Sequence, residues 1–141
     1  RGEVVIFRCP KQTDSSCVKR AVALSGDRVS IKGQRLYING KVAKYSHSKE
    51  RASLTLSKAV KVTALKESLR SGDHTILISD ATANTPDFGP YIVPPDSIFA
   101  LGDNRDFSED SRHWGDVATH LIESRALFVW VSIETNKKRR R

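Results

Sequence analysis

Methionine is absent from the 141 residues, even at position 1, and cysteine occurs only twice. No uninterrupted apolar run approaches the roughly 20 residues that a membrane-spanning helix needs. The longest candidate, Ala126 to Ile133, is only strand-sized. A structural zinc site needs four ligands, and two cysteines with scattered histidines (His47, His74, His113, His120) offer no such cluster. Aromatic residues make up 7% of the chain, beside 38% hydrophobic and 28% charged residues. Those proportions exclude disorder throughout and fit one ordinary soluble domain with a real core. A chain opening Arg1-Gly2-Glu3 without an initiator is expected to be a processed product, an excised domain or a truncation.

Acidic groups are in the minority, 16 against 24 basic ones, for a net charge of +8. The excess is local. Residues 137–141, Lys-Lys-Arg-Arg-Arg, hold five of the 24, leaving a body of 19 basic and 16 acidic groups. Such a run reads as a solvated tail, and the near-balanced body argues against a nucleic-acid partner. Anionic lipid headgroups remain a partner for the tail, at about 1 kcal/mol per basic residue near a membrane surface.

The local patterns are those of strands. Glu3 to Arg8 and Cys17 to Leu24 are β-branched and apolar runs around a polar stretch, Lys11 to Ser16, and predict two strands joined by a loop. Cys9 and Cys17 then stand at the ends of that loop, where either a disulfide or two inert thiols fits. Arg28–Lys32 and Arg35–Ile38 flank Gly33-Gln34, and Asn39-Gly40 is a strong hairpin signal. In the middle, Leu54, Leu56, Val60 and Val62 alternate as in strands, whereas Val62, Leu65 and Leu69 recur at helical spacing and predict a short helix closing at Ser71-Gly72. Strands follow at His74–Ile78, Tyr91–Val93, Ser97–Leu101 and Arg125–Ile133, with loops over Asp80–Pro90 and Gly102–Gly115. The expectation is an all-β, mostly antiparallel domain over residues 1–136. A smaller variable β-rich lobe is inserted at about 43–73, and 137–141 form the tail.

One loop stands apart. Gly102-Asp103-Asn104-Arg105-Asp106-Phe107-Ser108-Glu109-Asp110-Ser111-Arg112-His113-Trp114-Gly115 packs carboxylates, guanidiniums and serines between apolar strands. Bidentate Asp–Arg pairs lock a loop into one shape, whereas a solvated loop with exposed pairs gains little from them. Composition alone favours the solvated loop.

This stretch resembles the last signature box of bacterial type I signal peptidases, membrane-bound serine proteases that remove signal peptides. Three further segments are similar and in order. They are Arg1-Gly2-Glu3-Val4-Val5-Ile6-Phe7, then Val18-Lys19-Arg20-Ala21-Val22-Ala23-Leu24-Ser25-Gly26-Asp27, then Leu36-Tyr37-Ile38-Asn39-Gly40. Phe88-Gly89-Pro90 and Val93-Pro94 lead into the last box as they do in the family. The resemblance implies a Ser–Lys dyad, in which a neutral lysine takes the proton of a serine that then attacks a peptide carbonyl. A lysine ammonium ordinarily titrates at about 10.4, so the base needs burial against apolar surface, which disfavours the charged form. Lys19 matches that lysine and lies among Val18, Ala21 and Val22, while Arg20 is expected on the opposite strand face. Alone, Lys19 would read as an exposed strand lysine and Ser108 as a turn serine.

The resemblance assigns Ser108 to orienting the lysine and Asp110 and Arg112 to a charged pair shaping the site. Asp103, Asn104 and Arg105 become loop scaffolding, and Gly102 a point of close backbone passage. Val5, Cys17 and Val18 are candidate lining for shallow pockets that accept small side chains. Glu3 stands where the family usually has Asp, Ser25 for Pro, Phe107 for Asn, and Cys17 for an aromatic residue, the last two bearing on substrate preference.

In the family the nucleophilic serine lies upstream, in a Ser-Met-x-Pro segment after a membrane anchor, with the oxyanion donors. A chain without Met lacks that segment, so this chain is expected to be a fragment, inactive alone. The alternative is a catalytically dead homologue serving as a membrane-associated binding or assembly protein. The implied partners are signal peptides of exported preproteins and, through the anchor, the cytoplasmic membrane, with the domain on its periplasmic side. No metal or organic cofactor is implied, and an oxidising location allows the Cys9–Cys17 bridge.

Overall fold

Positive φ angles at Gly33 and Gln34 and again at Asn39 and Gly40 close two tight hairpins in the computed structural model, which describes residues 1–48, 62–79 and 86–127. These turns join β3 (Arg28–Lys32), β4 (Arg35–Ile38) and β5 (Lys41–Val42). With β9 (Phe88–Ile92) they form a four-stranded sheet ordered β5-β4-β3-β9. A five-stranded sheet is built from β1 (Val4–Cys9), β2 (Gln12–Leu24), β10 (Ser97–Leu101), β11 (Val117–Ala118) and β12 (Ile122–Arg125), ordered β11-β10-β2-β1-β12. A third sheet holds β6 (Lys44–His47), β7 (Val62–Leu69) and β8 (Gly72–Ser79). Among the described residues the ladders between these strands are antiparallel, giving the all-β fold the patterns predict.

The five-stranded sheet is buried on both faces, which is why Ser97-Ile98-Phe99-Ala100-Leu101 is buried throughout. On one face Val22, Ala23, Phe99 and Leu101 pack against Val29, Ile31 and Leu36 of the four-stranded sheet and against Val93. Phe88 and Tyr91 join them, with ring centroids 5.3 and 5.5 Å from Phe99. On the other face Val5, Phe7, Ala21, Ile98, Ala100 and Val117 form a second core beneath Trp114, Leu121 and Ile122. Phe7 and Phe99 are fully buried, each contributing about 1.5–3 kcal/mol relative to an exposed ring.

The turn between β2 and β3 is tied by Asp27. Its carboxylate accepts from Arg1 Nε at 2.6 Å, Leu24 N–H at 2.8 Å and Asn39 Nδ2 at 2.9 Å. One buried anion thus holds the first residue, the β2–β3 turn and the Asn39 hairpin turn together.

Four expectations need correcting. Residues 88–90, expected at the end of a loop, open β9, which runs Phe88–Ile92 instead of Tyr91–Val93. Residues 12–16, expected in a loop, belong to β2, where Asp14, Ser15 and Ser16 are exposed and need no apolar alternation. Residues 62–69 form β7, not a helix. Its buried positions are Leu65 and Glu67, and a carboxylate in a core position hides the two-residue period. Arg125 closes a strand that starts at Ile122 instead of opening one, with Ala126 N–H still donating to Val4 O at 2.9 Å, and the rest of the strand expected over Arg125–Ile133 lies outside the described residues after Leu127. The alternation at Leu54, Leu56 and Val60, the residues after Leu127 and the basic tail lie outside the described residues.

Candidate active site

Strand β2 sends two basic side chains to opposite faces. Antiparallel register sets Val5 opposite Lys19 and Phe7 opposite Cys17. Alternation places Cys17, Lys19 and Ala21 on the face of the second core, and Val18, Arg20 and Val22 on the other. Lys19 is half-buried there, and its Nζ donates to Ser108 Oγ at 2.9 Å. Arg20 turns away to grip Asp103, Nε to Oδ1 at 2.8 Å and Nη2 to Oδ2 at 2.7 Å, and also donates to the carbonyl of Gly2. Such planar forks are directional, so β2 is held against the loop by a fixed angle.

The loop begins where β10 ends. A Cβ on Gly102 would lie 2.0 Å from Ser108 Oγ and 2.4 Å from Ser108 Cβ, so only glycine lets the serine come this close. Gly102 N–H donates to Asp110 Oδ2 at 3.0 Å. Asp110, fully buried, caps the single-turn helix α1 (Ser111–Trp114) by accepting from Arg112 N–H. It also takes Arg112 Nε at 2.8 Å and Nη2 at 2.7 Å, and Arg112 Nη2 reaches the carbonyl of Arg105 as well. Ser111 Oγ accepts from Ala100 N–H at 2.9 Å. The loop is therefore a cross-braced element with Gly102, Arg105, Asp110 and Ser111 buried, and not the solvated loop that composition favours.

Its far side is fastened to the third sheet. Leu77 N–H donates to Asp103 O at 2.8 Å, next to a parallel bridge between Leu77 and Asn104. Asp106 Oδ2 accepts from Ser79 N–H at 2.6 Å. Arg105, buried, donates Nη1 to Glu67 Oε1 at 3.0 Å and Nη2 to Oε2 at 2.5 Å. Tyr45 OH donates to the same carboxylate at 2.5 Å, and His74 Nε2 lies 3.2 Å from Oε2 without hydrogen-bond alignment. Burial by itself would raise the Glu67 pKa. The His74 ring, Arg105 and Tyr45 outweigh it and bring the group down to about 2. Burial and the Glu67 charge together push the Tyr45 phenol upward.

The residues expected from sequence thus divide. Lys19, Ser108, Gly102, Asp110 and Arg112 meet in one cluster. Asp103 holds Arg20, and Arg105 faces Glu67. Asn104 bridges to β8 through its backbone, and its buried Oδ1 has no partner among the described residues. Val5 lies directly across from Lys19, and Cys17 lies two residues along the same face, its sulfur joined to Cys9 with the Cα atoms 5.2 Å apart. Val18 lies on the opposite face of β2 from Lys19 and is 57% exposed. Phe107 is also exposed and turned outward.

Sequence reasoning missed Glu67 and Tyr45, which lie in the lobe expected to be peripheral, and His74, at the start of the strand that follows it. No local signal marks them, since each is an ordinary polar residue until the fold brings them together. Asp106 and Ser111 lay inside the recognised loop, and the density of polar groups there was their only sign.

One edge of β2 is open. Strand β10 pairs with it only from Arg20 to Leu24, so residues 12–19 lack a ladder partner on that side among the described residues. Among those residues no helix is long and apolar enough to cross a membrane, and no cluster of three or more His, Cys, Asp or Glu could hold a metal ion.

Comparison with known proteins gives a consistent picture. The sequence model of the family "Signal peptidase, peptidase S26" matches residues 1–131. Signal peptidase I of Pseudomonas aeruginosa is 33% identical over 144 residues, covering 94% of this chain and 49% of that protein. Signal peptidase I of Rickettsia akari is 31% identical over 147 residues, covering 96% and 53%. A crystal structure of a signal peptidase I from Enterococcus faecalis V583 superposes with a TM-score of 0.54 at 28% identity, covering 89% of this chain and 94% of that one. The chain spans about half the length of the curated relatives it matches.

Proposed function

This chain belongs to the signal peptidase family, and from that premise we propose that it is the lysine-bearing part of a serine endopeptidase that removes signal peptides from exported preproteins. The observation that carries the reading is the 2.9 Å hydrogen bond from Lys19 Nζ to Ser108 Oγ on a half-buried sheet face. In its neutral form Lys19 is the general base. It takes the proton of a serine hydroxyl contributed by a segment outside this chain, and the serine oxygen bonds to the scissile carbonyl carbon. Collapse of that adduct breaks the C–N bond, the lysine returning its proton to the leaving amine. Lys19 then takes a proton from water, whose oxygen bonds to the acyl carbon, and returns it to the serine oxygen as the ester C–O bond breaks.

Ser108 aims the lysine lone pair by accepting one of its N–H bonds, and Gly102 leaves room for it. The open edge of β2 supports binding of an extended peptide by strand addition, with Val5 and the Cys17 bridge forming a shallow floor suited to small side chains. Family membership supports association with the cytoplasmic membrane, the domain working on its outer side through an anchor outside this chain.

The test is cleavage of a preprotein by the full-length protein and by its Lys19→Ala variant. Loss of a general base lowers kcat by about 10²–10⁴-fold. Unchanged turnover by Lys19→Ala overturns the reading. The chain of 141 residues alone is expected to cleave nothing.

A further inference from the structure

The lobe carrying β6, β7 and β8 meets the active-site loop through one buried carboxylate. Glu67 is fully buried, and both of its oxygens engage the guanidinium of Arg105. Arg105 opens the 3₁₀ turn Arg105–Phe107 that Ser108 closes, and its carbonyl receives Arg112. Glu67 is therefore three residues, by way of Arg105, from the hydroxyl that Lys19 contacts. Two further ties run from the same lobe to the same loop, at Asp103 O and Asp106 Oδ2, so the first part of the loop, residues 103–106, rests on β8.

A buried ion pair is a poor way to gain stability, because desolvation offsets much of the attraction and an apolar pair of similar volume often does as well. What it supplies is direction. A guanidinium held by both oxygens of a carboxylate, itself fixed by Tyr45, has one orientation.

We propose that Glu67 is a positioning residue for the reaction, acting through Arg105 to set Ser108 against Lys19, and that the three-stranded lobe is the buttress of the active-site loop. This rests on the proteolytic reading for its kinetic consequence but not for its structural one. The lobe thus has a task that its place in sequence, within a stretch expected to vary, does not suggest.

The experiment has two arms. In the first, this chain and its Glu67→Gln and Arg105→Lys variants are compared by amide hydrogen exchange. Both variants are expected to speed exchange in residues 103–112 at least tenfold, with the β1–β2 amides unchanged. Lys66→Gln, on the exposed side of β7, serves as control and should leave the loop amides alone. Unchanged exchange of the loop in both Glu67→Gln and Arg105→Lys overturns the proposal whatever the protein catalyses.

In the second arm, preprotein cleavage by the full-length protein is measured. Glu67→Gln is expected to lower kcat about tenfold to a hundredfold, the scale of a misplacement near 1 Å, with KM within about twofold. In a Ser108→Ala background the same substitution should cost almost nothing more, because its route has been removed. A loss of equal size in both backgrounds marks a merely structural carboxylate and overturns the positioning role. Cleavage that survives Lys19→Ala would instead sink the proteolytic reading, leaving the exchange result to decide the buttress.

Discussion

Gly102 shows how much can depend on a missing side chain. A methyl group there would occupy the space of the Ser108 hydroxyl, whose Oγ would be 2.0 Å away. Gly102→Ala is expected to push Ser108 off Lys19 and to destabilise the fold by about 1–3 kcal/mol, the usual cost of overpacking, read by urea denaturation. Cleavage should fall in the same variant. Full activity with unchanged stability would mean that the loop yields easily. This residue was legible in the sequence only through the family resemblance, since a glycine after a strand ordinarily signals a turn. Lys19 was similarly opaque, and only its alternation with Arg20 could be read from physics alone.

At the scale of elements, the β1–β2 hairpin carries a covalent clamp. The bridge between Cys9 and Cys17 spans eight positions, two residues before Lys19. Replacing both cysteines by serine is expected to lower stability by about 2.5 kcal/mol through the freed chain entropy, measured by denaturation of the variant against the oxidised protein. An equal midpoint in the two proteins would show that the hairpin holds without it. The hairpins were the most legible elements. Asn39-Gly40 needs a left-handed turn, and Ile31, Leu36 and Ile38 alternate around it on a half-buried sheet. Strand β7 was the least legible. Its inward positions hold Leu65 and Glu67 while Val62 falls elsewhere, so the apolar residues mimic a helix. A polar core residue is invisible to any argument from hydrophobic period, and here it was also the residue that joins the lobe to the site.

For the molecule as a whole, two buried carboxylates set the response to acid. Glu67 ordinarily titrates at 4.5 and Asp27 at 3.8, and both come down to about 2 in the fold. For Asp27, burial acts upward, but Arg1, the Leu24 amide and Asn39 prevail. Because the folded values are depressed, their stabilisation is complete above about pH 4.5 and is lost as pH falls toward 2. Melting temperature should drop steeply across that window, and less steeply in Glu67→Gln. A flat profile from pH 5 to pH 2 would contradict this. The sheets themselves are joined by contacts between distant parts of the sequence. Lys19 and Ser108 are 89 positions apart, and Glu67 and Arg105 are 38 apart. A nascent chain that has left the ribosome only as far as Leu101 already holds the amine but has nothing to steer it. The meeting of that amine with its hydroxyl thus arrives late in synthesis, once Ser108 has followed β10, and a polypeptide released earlier never forms it.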